Sequence, residues 1–475
     1  MKKLVLCISL ILPFWAFAQN SHYWSQGFGA KQTFLSGSMI STVNDNSAVF
    51  YNPAGIGNLA SSEISINANV YGLSMFYIEN GLGEGNDLSS IRALLFPQFM
   101  GGSIKLKDSK FSMVVAYMSR HYAKNRIAIF DTQIRDYIPS ENGDEIYNIN
   151  LDLETLLHEQ WGGVGLGYKI NEKLYLGASG FVTYRNQKNQ SLYSRTLVSQ
   201  DGVTFDPISI NSSQRTVIDI FSLLFKAGIQ YHSGSLSFGG TITLPNINVV
   251  KFANGRFNET VTNVEQYYPD RMDGEIFERN SSYKTKYKSP LSIAAGISFE
   301  KGKNTWHLTA EYFTPIKEYT VAIPKTPYHI ASPTDKSSEY QTTLSKGSLL
   351  IAETSARGIF NVALGLERRV NDKITLNYGF RTDFNYFNGN NENNVQFDRD
   401  LWDLYHFTIG VSSEHKQVIT TIGLDNAFGY HKNISAFGDA NIPNFEDENL
   451  SATVTGKSTV YTYVGMLVIG VTKLF

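Results

Sequence analysis

The stretch KITLNYGFRTDFNYF, Lys373–Phe387, alternates apolar with small or polar residues at a period of two. Ile374, Leu376, Tyr378, Phe380, Phe384 and Tyr386 share one face of an extended chain. Thr375, Asn377, Gly379, Arg381, Asp383 and Asn385 share the other. Successive side chains of a strand point to opposite faces, so the pattern predicts a strand with one greasy and one polar side. Before it stand the turn Asn371-Asp372 and a second strand, Ile359–Val370.

This unit of strand, short polar turn and strand recurs outward in both directions. Phe96–Leu106, Lys107-Asp108-Ser109 and Lys110–Arg126 form one copy; Trp161–Ile170, Asn171-Glu172 and Lys173–Lys188 form another. Val217–Tyr231 and Ser235–Val250 flank Ser233-Gly234, and Ser289–Glu300 and Thr305–Val321 flank Lys301-Gly302-Lys303. Leu404–Ser413 and Val418–Tyr430 flank Glu414-His415-Lys416, while Glu63–Glu79 opens the series and Val460–Phe475 closes it. Long polar connections separate the units: Asn80–Leu95, Ala128–Gln160, Asn189–Thr216, Lys251–Lys288, Ala322–Gly358, Asn388–Asp403 and His431–Thr459. Alternation recurs in Trp306, Leu308, Ala310 and Tyr312 against His307, Thr309 and Glu311. It recurs again in Phe221, Leu223, Phe225, Ala227 and Ile229 against Ser222, Leu224, Lys226 and Gly228. Short turns at one end and long loops at the other, joining an even number of strands, about fourteen, predict an all-β transmembrane antiparallel barrel. A two-sheet sandwich alternates similarly, but its connections need not alternate short with long.

Composition agrees. Tyr (27) and Phe (30) far outnumber Pro (13), which suits strands and the aromatic girdles of a membrane barrel. A formal net charge of -2 lacks the basic footprint of a nucleic-acid binder. Met1-Lys2-Lys3, the apolar Leu4–Phe14 and Ala16-Phe17-Ala18 read as a secretory signal over residues 1–18, with Gln19 as the new N-terminus. The one cysteine, Cys7, lies in that leader, so disulfides and thiolate metal sites are not expected in the mature chain. The final strand places Leu467, Ile469, Val471 and Phe475 on one face, with Lys473 among them. It resembles the C-terminal signal read by the outer-membrane barrel assembly machinery, which implies an integral protein of a Gram-negative outer membrane.

Residues 19–61 depart from the alternation and precede the barrel, residues 62–475. Within them runs NDNSAVFYNPAG, Asn44–Gly55, with Gly29-Ala30-Lys31 upstream and Gly57-x-Leu59 downstream. This motif is similar to the hatch signature of FadL-type outer-membrane transporters of long-chain fatty acids and aromatic hydrocarbons. The resemblance implies a 14-stranded barrel plugged by this segment, with Asn52, Pro53, Ala54 and Gly55 as a gating corner. Pro53 fixes its own φ and pushes Asn52 out of the helical region; taken alone, such a tetrapeptide reads as a turn into the first strand. It further implies passive diffusion of a hydrophobic small molecule to an inner pocket and sideways into membrane lipid, past an inward kink in the third strand. Lys110–Tyr122 holds no Gly or Pro to mark such a kink, while Gly101-Gly102 sits in the strand before.

An amphipathic acid needs an apolar slot and a cation. Phe28, Phe34, Leu35, Met39 and Phe50 of the N-terminal segment, with Phe181 and Leu224 of the wall, are candidates for the slot. Arg185, Lys226 and Arg381 face inward by alternation and are candidates for the carboxylate; Glu311, Asp383 and Asp425 face inward too and could pair with them instead. Ile149–Trp161, with Leu151, Leu153, Leu156 and Leu157, reads either as a short amphipathic helix at a greasy entrance or as a loop packed on itself. Gly163-x-Gly165-x-Gly167 lies between strands, and His158-Glu159 lacks the second His of a zinc helix, so neither is a nucleotide or metal motif. No cofactor and no catalytic group is expected. Two alternatives stand beside transport: a barrel of the same superfamily partnering a secretion system or lipopolysaccharide, and an outer-membrane lipid hydrolase, for which no Ser–His pair is legible. Cysteines placed in Lys251–Lys288 or Ala322–Gly358 should react with an impermeant thiol label on whole cells, and one at Gly302 should not; the reverse pattern would invert the topology.

Overall fold

The computed structural model describes residues 21–81, 84–85, 87–105, 109–138, 141–200, 206–264, 273–333, 343–345, 347–388, 395–396, 402–435 and 457–475. The signal at residues 1–18, the turn Lys107-Asp108 and most of the last two long connections lie outside them. The chain forms a closed 14-stranded antiparallel barrel. Its strands are β1 (Glu63–Glu79), β2 (Leu88–Lys105), β3 (Phe111–Arg135), β4 (Glu145–Lys169), β5 (Leu174–Ser199) and β6 (Ile208–Ser233). β7 comprises Leu236–Thr243 and Ile247–Thr262, β8 comprises Gly274–Asn280 and Ser292–Lys301, β9 comprises Asn304–Phe313 and Ile316–Pro324, and β10 comprises Ala352–Ala356 and Ile359–Arg369. β11 (Ile374–Asp383), β12 (Asp403–His415), β13 (Val418–Ser435) and β14 (Lys457–Leu474) complete the circuit, and β14 pairs with β1 from Glu63↔Leu474 to Glu79↔Thr459.

Alternation sets the faces as predicted. Trp306, Leu308 and Tyr312 are exposed on the outside of β9, while His307, Thr309 and Glu311 are buried inside. Phe221, Phe225 and Ile229 are exposed on β6, against buried Ser222 and Leu224. Tyr386 departs from the expected face: β11 ends at Asp383, and beyond it Tyr386 turns inward to stack on Tyr23 at 4.3 Å.

The long connections are shorter than expected because β3 to β6 continue far into them. These strands run 25 or 26 residues, whereas a tilted strand crosses a bilayer in about 9–11. Ile149–Trp161 is accordingly neither helix nor loop; it belongs to β4. Its inner face carries Tyr147, Ile149, Leu151, Leu153 and Leu157, all buried, and its outer face carries Asn148, Asn150, Asp152 and Glu154. Polarity is thus reversed where the wall leaves lipid for water, and an apolar core joining Ile78, Ile127, Leu197 and Trp402 fills the projecting mouth.

The N-terminal segment lies inside the barrel. It contains two short helices, α1 (Ala30–Phe34) and α2 (Ala48–Tyr51), then a 3-10 turn over Pro53–Asn58. The wall makes room for it with glycine. A Cβ at Gly177 of β5 would run into the Pro53 carbonyl, and one at Gly228 of β6 into the Asn52 side-chain oxygen. Its polar groups bond to wall strands around the circumference. Asn46 Nδ2 donates to the Gly101 carbonyl at 3.0 Å, Lys31 pairs with Glu367 at 2.8 Å, and Thr408 Oγ1 donates to the Phe34 carbonyl at 2.7 Å. Gly177→Val should therefore leave the barrel assembled, with heat-shifted migration on gels unchanged, because the ladder does not run through the segment. The same variant should become cleavable by trypsin at Lys31 while the wild type resists; equal resistance would show that the segment tolerates the clash.

Candidate functional site

Asn52 is a structural node. It caps α2 through its own N–H to the Ala48 carbonyl at 3.0 Å, and its Oδ1 accepts from Ala54 N–H at 3.1 Å. Its Nδ2 donates to the Ile40 carbonyl at 2.8 Å and to the Ile229 carbonyl of β6 at 3.0 Å. Pro53 has no N–H to satisfy at this first position of the turn. The tetrapeptide Asn52–Gly55 is wholly buried, so it is more than a solvent-exposed bend leading into β1.

Most of the predicted apolar slot comes together. Phe28, Leu35, Met39, Phe181 and Leu224 form one cluster with Phe50 against them, joined by Tyr51, Met118 and Trp161. Phe34 does not join; it packs with Phe96, Met466 and Val468 on the opposite wall. Burial pushes the Tyr51 phenol up to about 12, so its oxygen stays protonated, accepting from Phe28 N–H at 3.0 Å.

The three predicted cations have different partners. Arg185 Nη1 pairs with Glu159 at 2.7 Å, and its guanidinium covers the Tyr287 ring at 4.3 Å. Arg381 bonds to His406 Nδ1 at 3.0 Å and reaches Asp425 at 3.4 Å. Lys226 has no carboxylate partner among the described residues; its Nζ donates to the Phe50 carbonyl at 2.7 Å and lies 4.9 Å from the Phe50 ring centre.

A fourth cation, Arg120, was not among the predicted ones. β3 carries a bulge between Ser119 and His121, so Met118, Ser119, Arg120 and His121 are buried in succession. A bulge inserts one unpaired residue and resets the phase of the strand. Arg120 keeps the inward phase of Val114, Ala116 and Met118, and lies in the lumen 5.6 Å above Phe50 and 5.7 Å above Trp161; the phase changes from His121 on. It donates to the Tyr23 carbonyl, Nη1 has no hydrogen-bond partner, and it too lacks a carboxylate among the described residues. The polar run Ser119-Arg120-His121 between Met118 and Tyr122 is a sequence signal that could have marked it.

Beside Arg120 the wall is open. β2 and β3 are paired only up to Phe99↔Met118; above that, β2 bonds to β1 alone and β3 to β4 alone. Pro97 stands at this edge with no N–H to offer. Side chains span the gap: Phe96 and Tyr122 pack at 5.3 Å, and Arg92 Nη2 donates to the Arg126 carbonyl at 3.0 Å. The β2–β3 ladder therefore ends next to a bulge of ordinary residues in the third strand, where the sequence offered no Gly or Pro to signal it.

Two cavities flank the N-terminal segment. One, of about 30 Å³, lies among Trp24, Phe50, Tyr51, Lys226, Glu311 and Arg381. Tyr23 stacks between Phe313 and Tyr386, and Trp24 Nε1 donates to Glu311 at 2.7 Å, so the start of the chain fills most of this space. The other, of about 410 Å³, opens towards the Asn371–Lys373 turn and is lined by Lys31, Asp45, Glu63, Glu367, Arg369 and Glu414. That larger chamber is polar and is no apolar slot.

Among known proteins, no family model and no curated sequence matches this chain. Solved structures do. A Pseudomonas aeruginosa FadL homologue superposes with a TM-score of 0.55 at 13% identity, covering 98% of this chain and 100% of that one. The Pseudomonas putida toluene transporter TodX gives 0.58 at 11% identity over 95% and 99%. The Ralstonia pickettii toluene transporter TbuX gives 0.50 at 12% identity over 95% and 99%. The chain shares their FadL-type barrel fold.

The different pairing of the cations has a measurable consequence. Arg185→Ala leaves Glu159 buried without its partner and should cost about 3–5 kcal/mol of stability. Lys226→Met strands only a carbonyl and should cost about 1–3 kcal/mol. Unfolding in urea from detergent micelles checks the order; a larger loss for Lys226→Met would mean that it carries an unseen ion pair.

Proposed function

We propose that this protein carries hydrophobic small molecules passively across a Gram-negative outer membrane, with a carboxylate-bearing amphiphile such as a long-chain fatty acid as ligand. The observation that carries this reading is the pair Arg120 and Lys226. Arg120 is buried and Lys226 half-buried, neither has a carboxylate within ion-pair distance among the described residues although Glu311 lines the same small cavity as Lys226, and both face the Phe50 ring beside an apolar cluster. Buried charges are costly unless paired, so two cations left to carbonyls and rings suit an anion that arrives from outside. A ligand carboxylate would replace the Tyr23 and Phe50 carbonyls, and its tail would run along Phe28, Leu35, Met39, Phe181, Leu224 and Trp161.

In this reading residues 19–61 act as a hatch with Asn52-Pro53-Ala54-Gly55 as its stiff corner, and Tyr23-Trp24 give way to the ligand. The β2–β3 opening beside Arg120 serves as the sideways route to membrane lipid. Arg185 and Arg381, already neutralised by Glu159 and Asp425, support the lumen, and Phe34 anchors α1 to the wall. The shared fold with described hydrocarbon and toluene transporters favours transport over a secretion or lipopolysaccharide role.

Lys226→Met should weaken a C16 fatty acid about tenfold or more, since a charge-assisted bond contributes about 1.5–3 kcal/mol. Hexadecane should be affected less than twofold, and Arg381→Met should weaken the acid less than Lys226→Met does. Equilibrium binding in detergent to radiolabelled ligands measures all three; equal losses for acid and alkane would remove the headgroup assignment.

A further inference from the structure

Thr243 of β7, Ser292 of β8, Phe313 of β9 and Ile359 of β10 form one rung across four adjacent strands. Immediately above it all four are interrupted, at Leu244-Pro245-Asn246, over residues 286–291 (which include Pro290), at Thr314-Pro315 and at Arg357-Gly358. Three of the four interruptions contain proline, which cannot donate to a ladder. Above the break the strands part. Tyr283–Thr285 turns inward to pair with Ala322–Pro324 of β9, whereas β7 stays on β6. β7 and β8 have no backbone pairing between Thr243↔Ser292 and Gly255↔Asn280.

Two side-chain amides close this seam, together with the Ser289 hydroxyl, which accepts from Asn246 N–H at 2.9 Å. Asn248 Oδ1 accepts from Tyr287 N–H at 2.8 Å, and its Nδ2 donates to the Tyr287 carbonyl at 2.9 Å. Asn246 Oδ1 accepts from Ser289 N–H at 2.7 Å, and its Nδ2 donates to the Tyr287 carbonyl at 3.2 Å. An amide offers the same donor and acceptor as a peptide unit, but it sits on rotatable bonds and can swing away without shifting a strand. Both Nδ2 atoms also lie 3.1 Å from Ser222 Oγ on β6, an alternative partner within the same wall.

The seam lies in the lipid-facing band. Asn248 is opposite Ser222, and Phe221, Leu223 and Phe225 beside it point outward; Asp219, the first acid on that face, stands above. Outside, Leu244, Ile247, Val249 and Phe252 are exposed along β7. Inside, Tyr287 touches Arg185 and borders an apolar wedge of Ile218, Ile220, Phe257 and Leu350.

We propose that the β7–β8 seam is a second lateral portal, through which the apolar chain of a ligand exchanges between the bilayer and the lumen when Asn246 and Asn248 release Tyr287 and Ser289. It rests on the transport reading and is separate from the β2–β3 opening, five strands away round the barrel. The test introduces Asn248→Cys and Tyr287→Cys into the full chain and bridges them with a short methanethiosulfonate cross-linker that reductant removes. Proteoliposomes then take up a C16 fatty acid carrying a diazirine. Bridging should slow initial uptake at least threefold, reductant should restore it, and photolabel should appear on residues 246–252 and 286–289. Unchanged uptake on bridging, in a protein whose wild type transports, overturns the portal and leaves the transport reading standing. A wild type that takes up nothing overturns transport; label on residues 286–289 then still supports a lipid-accessible seam, and its absence removes that as well.

Discussion

The pairing of β14 with β1 is the constraint on which the rest depends. In hydrocarbon no water is present to satisfy a peptide group, so a spanning sheet must close on itself. Once the ring is closed, every wall position is either outward and greasy or inward, and the interior becomes a protected space of fixed girth. The N-terminal segment can then be held by scattered bonds to many strands, from Gly101 on β2 to Thr408 on β12, without contributing a rung of its own. Among the described residues, β2–β3 and β7–β8 are two places where neighbouring strands are not laddered, and there the wall's integrity rests on side chains. One is spanned by an aromatic pair and a guanidinium, the other by amides that imitate peptides.

Inside the ring, size complementarity and charge follow opposite rules. The segment approaches the wall where the wall has lost its side chains, at Gly177 and Gly228, so its corner at Asn52-Pro53 is backed by backbone. Charges cluster above that corner, and their neutralisation is uneven. Glu159 and Asp425 each answer an arginine, whereas Arg120 and Lys226 are left to carbonyl dipoles and the faces of Phe50 and Trp161.

Much of this architecture was legible because a half-buried strand writes its environment at a period of two. Glu63–Glu79 was read with its observed bounds, and the faces of β6, β9 and β11 follow the alternation residue by residue. The extent of β3 to β6 was hidden for a physical reason. Above the membrane, Leu151 and Leu153 face inward while Asn150 and Asp152 face water, so the stretch looks like a polar loop with stray leucines. Arg120 was hidden because both faces of Phe111–Met118 carry apolar residues, so alternation there does not tell lumen from lipid. Asn246 and Asn248 carry no local mark either, since what they bond to, Tyr287 and Ser289, lies some forty residues away. The N-terminal motif was visible as a motif, but its partners on β5 and β6 were not.

The polar chamber beneath the N-terminal segment acts on a passenger as a matter of solubility. Lys31, Asp45, Glu367, Arg369 and Glu414 line it with charge, and it faces the short-turn end of the barrel. A hydrocarbon leaving the Phe50 cluster in that direction would be rehydrated at about 0.8 kcal/mol per methylene, so a ten-carbon chain would lose about 8 kcal/mol. The same chain slipping sideways between strands into lipid would lose almost none of it. In the proposed transport the barrel would sort by partition coefficient, turning greasy molecules towards the bilayer rather than into the polar chamber.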